Sequence, residues 1–256
     1  MRWLIPLTGL LLAATACGSH RKEAVDPAPW QSEEGKQETR MGIAARMLEL
    51  GYPEDAMTLL KLARQDGETG AEVDYLSGQA LHQMGLHSEA EAPLRRSVEV
   101  NSKDARPWRT LGLVYSETKR PDEAIDAFRR ACELDKNDAA TWNNLGFLLY
   151  SVQRSPDAVP ALRKAIMIDG SVAKFRRNLG FALFNDGDVE GAVEAFRAAG
   201  PLDDAWYNLG VAHEIAGDTI QAKSRYTRAL EINPDHNKAK EALSRFDASA
   251  SPEITP

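Results

Sequence analysis

The chain repeats itself with a period of 34 residues, and this repeat constrains the fold more than any other feature. Successive units start at residues 37, 71, 105, 139 and 173, in steps of 34 residues, and a sixth unit starts at residue 203 after a shorter step. A period of about 20–50 residues is typical of solenoids, whose units bury their apolar faces against one another. The twentieth residue of all six units is the same small residue: Ala56, Ala90, Ala124, Ala158, Ala192 and Ala222.

Small and large side chains recur at fixed places in each unit, which indicates pairs of packed helices. The eighth residue is glycine in five units and alanine in the first, whereas the twenty-fourth is always large and apolar. Helices that approach closely need small residues where they cross and large residues beside the crossing to fill the gaps. Gly51, Gly85, Gly187 and Gly217 fall between the two predicted helices of a unit, where a left-handed residue ends a helix.

This pattern, with Trp108, Trp142 and Trp206 at the fourth position and Pro234 at the thirty-second, resembles the tetratricopeptide repeat over residues 37–236. The resemblance implies an all-α fold, a right-handed superhelical solenoid of about six helix-turn-helix units with a C-terminal capping helix. The predicted organisation is a signal peptide at 1–16, a tether at 17–36, units at 37–70, 71–104, 105–138, 139–172, 173–202 and 203–236, a capping helix at 237–246 and a disordered tail at 247–256.

The amino terminus has the features of a bacterial export signal. Arg2 precedes an apolar run from Trp3 to Ala16, which is shorter than the roughly 20 residues that a membrane-spanning helix needs. The run ends in Ala14-Thr15-Ala16-Cys17, which resembles the lipobox of lipoproteins. The resemblance implies cleavage before Cys17 and a covalent lipid, including palmitate, on that residue. The alternative is an ordinary secretory signal that leaves Cys17 as an incidental thiol.

The resemblance to lipoproteins also implies a location. Gly18 follows the cysteine, which resembles the default signal for the outer membrane in Gram-negative families. We therefore expect a lipid-anchored protein of the cell envelope that faces the periplasm. The polar residues that follow, up to residue 36, show no period and are predicted to be a flexible tether.

The sequence lacks the motifs of the common enzyme classes. Its formal charge of −7 argues against nucleic acid as the partner. None of its five histidines has the spacing of a zinc protease, and no nucleophile elbow or phosphate-binding glycine loop is present. The segment from Asp186 to Gly191 imitates a calcium loop, but Arg197 occupies the place of the bidentate glutamate. We predict a non-enzyme with no metal, no small-molecule substrate and no cofactor except the lipid on Cys17; Cys132 is expected to be a buried packing residue.

The tetratricopeptide resemblance implies a binding groove lined by the first helix of each unit. The middle units place basic, amide and aromatic side chains there, which suits an extended peptide: amides pair with its backbone, cations with its carboxylates and rings with its apolar anchors. The alternative is a solvated groove with no preferred ligand. The candidate site residues are Arg106, Arg109, Asn143, Asn144, Phe147, Tyr150, Lys174, Arg177, Asn178, Phe181 and Phe184.

These observations favour a non-catalytic scaffold that binds an envelope protein and assists the assembly of an envelope machine. The layout of lipobox, tether and six repeats resembles the pilotin lipoproteins of type IV pili, which implies a secretin as the partner. The alternatives are a scaffold for gliding motility, polysaccharide export or cell-wall synthesis, and a regulatory subunit of an envelope enzyme.

Overall fold

The structure, a computed structural model, describes residues 40–249. The predicted signal peptide, Cys17, the tether, the first three residues of unit one and residues 250–256 lie outside the described residues. Within 40–249 the chain forms thirteen helices and no strand, as the repeat predicts. The helices are α1 Arg40–Glu49, α2 Pro53–Gln65, α3 Ala71–Gln83, α4 His87–Val100, α5 Ala105–Glu117, α6 Pro121–Leu134, α7 Ala139–Ser151, α8 Ser155–Ile168, α9 Ala173–Asn185, α10 Val189–Ala199, α11 Leu202–Ile215, α12 Thr219–Ile232 and α13 Asn237–Ser249.

The first twelve helices form six helix-turn-helix pairs that coincide with the six predicted units. Short turns join the two helices of each pair, so the helices pack antiparallel. The second helix of each pair packs on the first helix of the next, and first helices of successive units also touch, such as α7 with α9 and α9 with α11. Helix α13 packs on α12 as the predicted cap, but it continues to Ser249, so the predicted start of a disordered tail at residue 247 is wrong.

Glycine at the eighth position is required by the close approach of the second helix. A methyl group at Gly180 would lie 2.4 Å from the ring of Phe196, which is well inside van der Waals contact. The same clash recurs in every unit that has this glycine, at 2.4 to 2.6 Å. The pairs are Gly78 with Leu94, Gly112 with Phe128, Gly146 with Leu162, Gly180 with Phe196, and Gly210 with Tyr226.

Two further packing predictions are confirmed. The alanine at the twentieth position is fully buried in all six units. Cys132 is 1% exposed, and burial raises the pKa of its thiol to about 12. A thiol in this environment stays protonated at neutral pH and packs as a small apolar group.

The turn inside each unit requires a left-handed residue at the fifteenth position. Gly51, Gly85, Gly187 and Gly217 have positive φ there, as predicted. Units three and four place Lys119 and Gln153 at the same position, with φ of 59° and 61°. A side chain in this conformation costs about 1–2 kcal/mol relative to right-handed backbone, whereas glycine adopts it freely.

Replacing Lys119 with glycine is therefore expected to stabilise the protein. We expect the free energy of unfolding to rise by about 0.5–1 kcal/mol, as measured by urea unfolding. Lys119→Ala is the matched control, because it removes the same side chain but keeps the strained Cβ. Equal stability of the alanine and glycine variants would contradict the backbone explanation.

The second helix of unit five is shortened, in agreement with the shorter step that separates units five and six in the sequence. Helix α10 has 11 residues, whereas α8 and α12 each have 14. It ends at Ala199 and is followed by Gly200 and Pro201, and Pro201 directly precedes α11. Because proline cannot donate a backbone hydrogen bond, α10 cannot continue into unit six.

Candidate peptide-binding face

Helices α7 and α9 present a row of aromatic side chains at their surface. Phe147 and Tyr150 lie one turn apart on α7, and Phe181 and Phe184 lie one turn apart on α9, a spacing that places each pair on one side of its helix. The ring centroids of Phe147 and Tyr150 are 6.4 Å apart, and those of Tyr150 and Phe181 are 6.3 Å apart. The ring of Phe147 is 50% exposed, so the row is open to solvent at this end.

The row is held in place from behind by the repeat core. The ring of Phe181 packs edge-on against Phe196, with 5.0 Å between centroids, and Phe184 packs in the same way on His213 at 4.8 Å. Burial lowers the pKa of His213, whose Nδ1 atom lies 3.6 Å from Asp218. His213 is thus a packing residue.

The aromatic row ends in a cleft of about 230 Å³ at the carboxyl ends of α7, α9 and α11. We call it the edge cleft. Its walls combine aromatic rings, aliphatic side chains and two amides: Tyr150, Gln153, Phe181, Phe184, Asn185, Ala212, Ile215 and Ala216.

Hydrogen bonds fix the polar side of the edge cleft. Asn185 donates through Nδ2 to Gln153 Oε1 at 3.0 Å and to Ser155 Oγ at 2.7 Å. These bonds join the end of α9 to the turn between α7 and α8. Among residues 40–249, Gln153 and Lys119 are the two non-glycine residues with a left-handed backbone.

Two predicted site residues supply positive charge to the same helix face. Lys174 and Arg177 lie on α9 two turns and one turn before Phe181, respectively, and both are exposed. Neither forms an ion pair with any residue in the range 40–249. We call the surface formed by Asn144, Phe147, Tyr150, Lys174, Arg177, Phe181 and Phe184 the α7–α9 face.

Two of the predicted basic site residues, Arg106 and Arg109, form ion pairs within the protein. Arg106 binds Glu72 with an Nη2–Oε2 distance of 2.6 Å and also pairs with Asp104. Hydrogen bonds to these carboxylates, Asp104 foremost, hold the pKa of Arg106 well above its usual range. Arg109 pairs with Asp138 at 3.1 Å. Both arginines join neighbouring units and have their charge compensated by carboxylates, while their side chains stay 47% and 39% exposed.

Two predicted amides are unavailable to a ligand. Asn143 and Asn178 are only 2% and 8% exposed, and Asn178 Nδ2 donates to Asn143 Oδ1 at 2.8 Å. This buried bond joins α7 to α9 and satisfies polar groups that would otherwise destabilise the interface. The prediction that these residues face a partner is therefore wrong, and of the three predicted asparagines Asn144 alone keeps a partly exposed side chain.

Sequence reasoning missed five residues of the edge cleft: Gln153, Asn185, Ala212, Ile215 and Ala216. Asn185 and Ile215 occupy the thirteenth position of their units, directly after the twelfth position that supplies Tyr150 and Phe184 to the predicted site, so their place in the repeat contains a signal for them. Gln153 is different, because it replaces the turn glycine. Only the left-handed geometry of that turn brings its side chain beside α9.

The described residues do not form a metal centre. No group of three or more His, Cys, Asp or Glu in the range 40–249 is arranged to hold a metal ion. In the calcium-like segment, Asp188 instead caps α10 by accepting the backbone N–H of Gly191 at 2.8 Å. Among the described helices, none has the length and apolar character needed to span a membrane.

Comparison with known proteins identifies the repeat. Family models described as tetratricopeptide repeat match residues 105–138, 144–204 and 203–236. These matches cover units three and six and most of units four and five. The chain therefore contains tetratricopeptide repeats, a class of generally non-catalytic scaffolds for protein interaction. No curated protein sequence matches the chain.

Several solved structures share the fold. YrrB, described as a TPR protein with an unusual peptide-binding site, is 24% identical, with a TM-score of 0.58 over 72% of this chain and 96% of YrrB. A MamA protein is 24% identical, with a TM-score of 0.56 over 62% of this chain and 87% of MamA. PilF of Pseudomonas aeruginosa is 16% identical, with a TM-score of 0.62 over 82% of this chain and 99% of PilF. At these identities the likeness concerns the fold.

Proposed function

We propose that this chain, built from tetratricopeptide repeats, is a non-catalytic scaffold that binds an extended segment of another protein on the α7–α9 face. The observation that carries the proposal is the combination of an open aromatic row with two cations that have no partner in the range 40–249. Aromatic side chains, including phenylalanine, and arginine are enriched at protein interfaces relative to the rest of the surface. YrrB, the similar protein described as having a peptide-binding site, supports this use of the fold.

Each chemical group of the face suits one part of a peptide. The amide of Asn144 can both donate to and accept from a peptide backbone. The aromatic rings offer apolar surface at a low cost in side-chain entropy. Lys174 and Arg177 favour carboxylates. A flat solvated surface would not need an aromatic side chain at Phe147, which is half exposed.

We further propose that the protein is anchored in the bacterial envelope by lipid on Cys17 and faces the periplasm from the outer membrane. The lipobox-like segment before Cys17 supports the anchor. Within this class, the narrower proposal is a pilotin that assists a type IV pilus secretin. The fold match that covers 99% of PilF is consistent with this role.

A crosslinking experiment tests the scaffold proposal. A photoreactive amino acid replaces Asn144 in cells, and the captured proteins are identified by mass spectrometry. We expect capture of an envelope protein; a secretin would support the pilotin role, whereas a protein of gliding, polysaccharide export or cell-wall synthesis would favour those alternatives. The matched control places the same group at Asp126 on α6, whose side chain is 80% exposed and lies outside the face.

Charge reversal provides the second arm of this experiment. Lys174→Glu with Arg177→Glu is expected to lower the yield of capture at least about tenfold, because like charges facing each other cost several kcal/mol and about 1.4 kcal/mol is a factor of ten. Both side chains are exposed, so the helix is expected to stay folded. Unchanged capture of the same proteins would show that the face does not bind them.

A further inference from the structure

Helix α9 carries the two cations and also contributes Phe184 to the edge cleft, so the distance between them can be estimated along this helix. From Arg177 to Phe184 along α9 there are seven residues, which correspond to about 10 Å at 1.5 Å per helical residue. An extended peptide advances about 3.3 Å per residue. A segment that follows α9 would therefore place its contact to Arg177 and its contact to the cleft about three residues apart.

The size of the edge cleft suits a single side chain. Its volume of about 230 Å³ is below the range of about 300–1,000 Å³ that is usual for small-molecule sites. Three of its walls are the rings of Tyr150, Phe181 and Phe184, and Ile215 forms another wall while remaining 63% exposed. An apolar side chain in the cleft would remove this isoleucine from water, which favours binding.

The polar side of the cleft is prepared for a peptide backbone. Asn185 Nδ2 is used twice within the protein, but its Oδ1 atom and the Nε2 atom of Gln153 form no hydrogen bond with any residue between 40 and 249. One is an acceptor and the other a donor, which is what a backbone N–H and C=O require. Gln153 also has a strained, left-handed backbone conformation at the position where four other units have glycine. A strained residue whose side chain lines a cleft is consistent with a functional role for that side chain.

The charges near the face favour an acidic ligand. The arginines of unit three are paired with carboxylates, whereas Lys174 and Arg177 are not paired within the described chain. On the neighbouring helix α11, Glu214 forms an ion pair with Arg245 at 3.2 Å and accepts a hydrogen bond from the hydroxyl of Tyr226. It is therefore committed to partners other than the two cations on α9.

We infer that the bound segment carries an aromatic or branched apolar residue that enters the edge cleft and an acidic residue about three positions away that pairs with Lys174 and Arg177. The inference rests on the proposed function and specifies the partner of the same face. The acidic residue pairs with cations near the middle of α9, and the apolar residue is bound near its carboxyl end.

Synthetic peptides test this pairing. We would measure binding by fluorescence anisotropy to the full chain carrying Cys17→Ser, which keeps the protein free of lipid. The test peptides place glutamate three residues from phenylalanine, in either order along the peptide. The controls replace glutamate with glutamine or move it to eight residues from phenylalanine. We expect the better of the two test peptides to bind at least tenfold more tightly than either control.

Two variants locate the two contacts. The double variant Lys174→Glu with Arg177→Glu is expected to reverse the preference for glutamate in the peptide. A peptide with lysine in place of glutamate should then bind more tightly than the test peptide. Ile215→Ala truncates an exposed side chain. It is expected to lower the affinity for the test peptide at least threefold and to leave the circular dichroism spectrum of the protein unchanged.

The outcomes separate this inference from the proposed function. Equal affinity for test and control peptides, together with capture of a protein from residue 144 in cells, would overturn the inference and leave the scaffold standing. Absence of capture from residue 144 would overturn the scaffold itself. A charge-reversed variant that keeps its preference for glutamate would likewise contradict the inference.

Discussion

Replacing Phe196 with alanine is expected to lower the free energy of unfolding by about 3–5 kcal/mol, as measured by urea unfolding. The side chain is 1% exposed and fills the space directly over Gly180, so its removal leaves a cavity between α9 and α10. The loss is expected to be greatest in unit five, because repeat arrays are stabilised by contacts within units and between neighbours. Hydrogen exchange in α9 and α10 is expected to increase more than in α3 and α4.

A double-mutant cycle with Gly180 tests the physical reason. Gly180→Ala alone is expected to destabilise by about 1–3 kcal/mol, since its new methyl group would lie against the Phe196 ring. In the Phe196→Ala background the same methyl group has room. The cost of the double variant is therefore expected to fall below the sum of the single costs by about 1–2 kcal/mol. Additive costs would contradict direct packing between these residues.

Phe147→Ala is the matched control for the cavity. Phe147 lies at the surface of α7 and is half exposed, so the loss of its ring leaves no enclosed space. We expect the free energy of unfolding to change by less than about 1 kcal/mol. A cost as large as that of Phe196→Ala would mean that the outer aromatic row is part of the core.

Replacing Cys17 with serine is expected to abolish acylation and release the protein from the membrane fraction. Serine lacks the thiol that would carry the diacylglycerol, and stable anchoring of a peripheral protein requires more than one acyl chain. The measurements are metabolic labelling with palmitate and fractionation of cell envelopes. Membrane attachment equal to that of the unchanged protein would remove the lipid anchor from the proposed function.

The second cysteine provides the matched control. Cys132 is buried on α6, and burial raises the pKa of its thiol to about 12, so it has neither access nor reactivity toward a lipid donor. Cys132→Ala is expected to retain full labelling and membrane attachment. If Cys132→Ala loses labelling and Cys17→Ser keeps it, the lipid is attached to Cys132 and not to Cys17.

The repeat made the fold predictable because its constraints are local and recur. A glycine at the eighth position and a large residue at the twenty-fourth appear in five units, so the period that reveals the helix pair also reveals its packing partners. Turn glycines such as Gly187 are predictable for the same reason, since only backbone geometry is at stake. The boundary of α13 was not predictable, because nothing in the repeat specifies how far a final helix extends.

The site was less predictable because a side chain's use depends on neighbours from other units. Arg106 and Lys174 occupy equivalent positions, yet Arg106 has Glu72 and Asp104 within reach and Lys174 has no carboxylate partner among the described residues. Asn143 and Asn144 are adjacent in sequence, yet one is buried in a bond to Asn178 and the other is partly exposed. The position of a residue in the repeat does not indicate whether its side chain is ion-paired or buried.

The sequence by itself determined the number of units, the order of their helices, the glycines at the helix crossings and the early end of α10. These follow from periodicity, backbone conformation and the missing N–H of Pro201, which act within one unit. The tertiary structure decided which charges stay uncompensated, which amides are buried and where a cleft opens beside Ile215. Those properties arise from contacts between units, and the distances that define them exist only when the helices are packed.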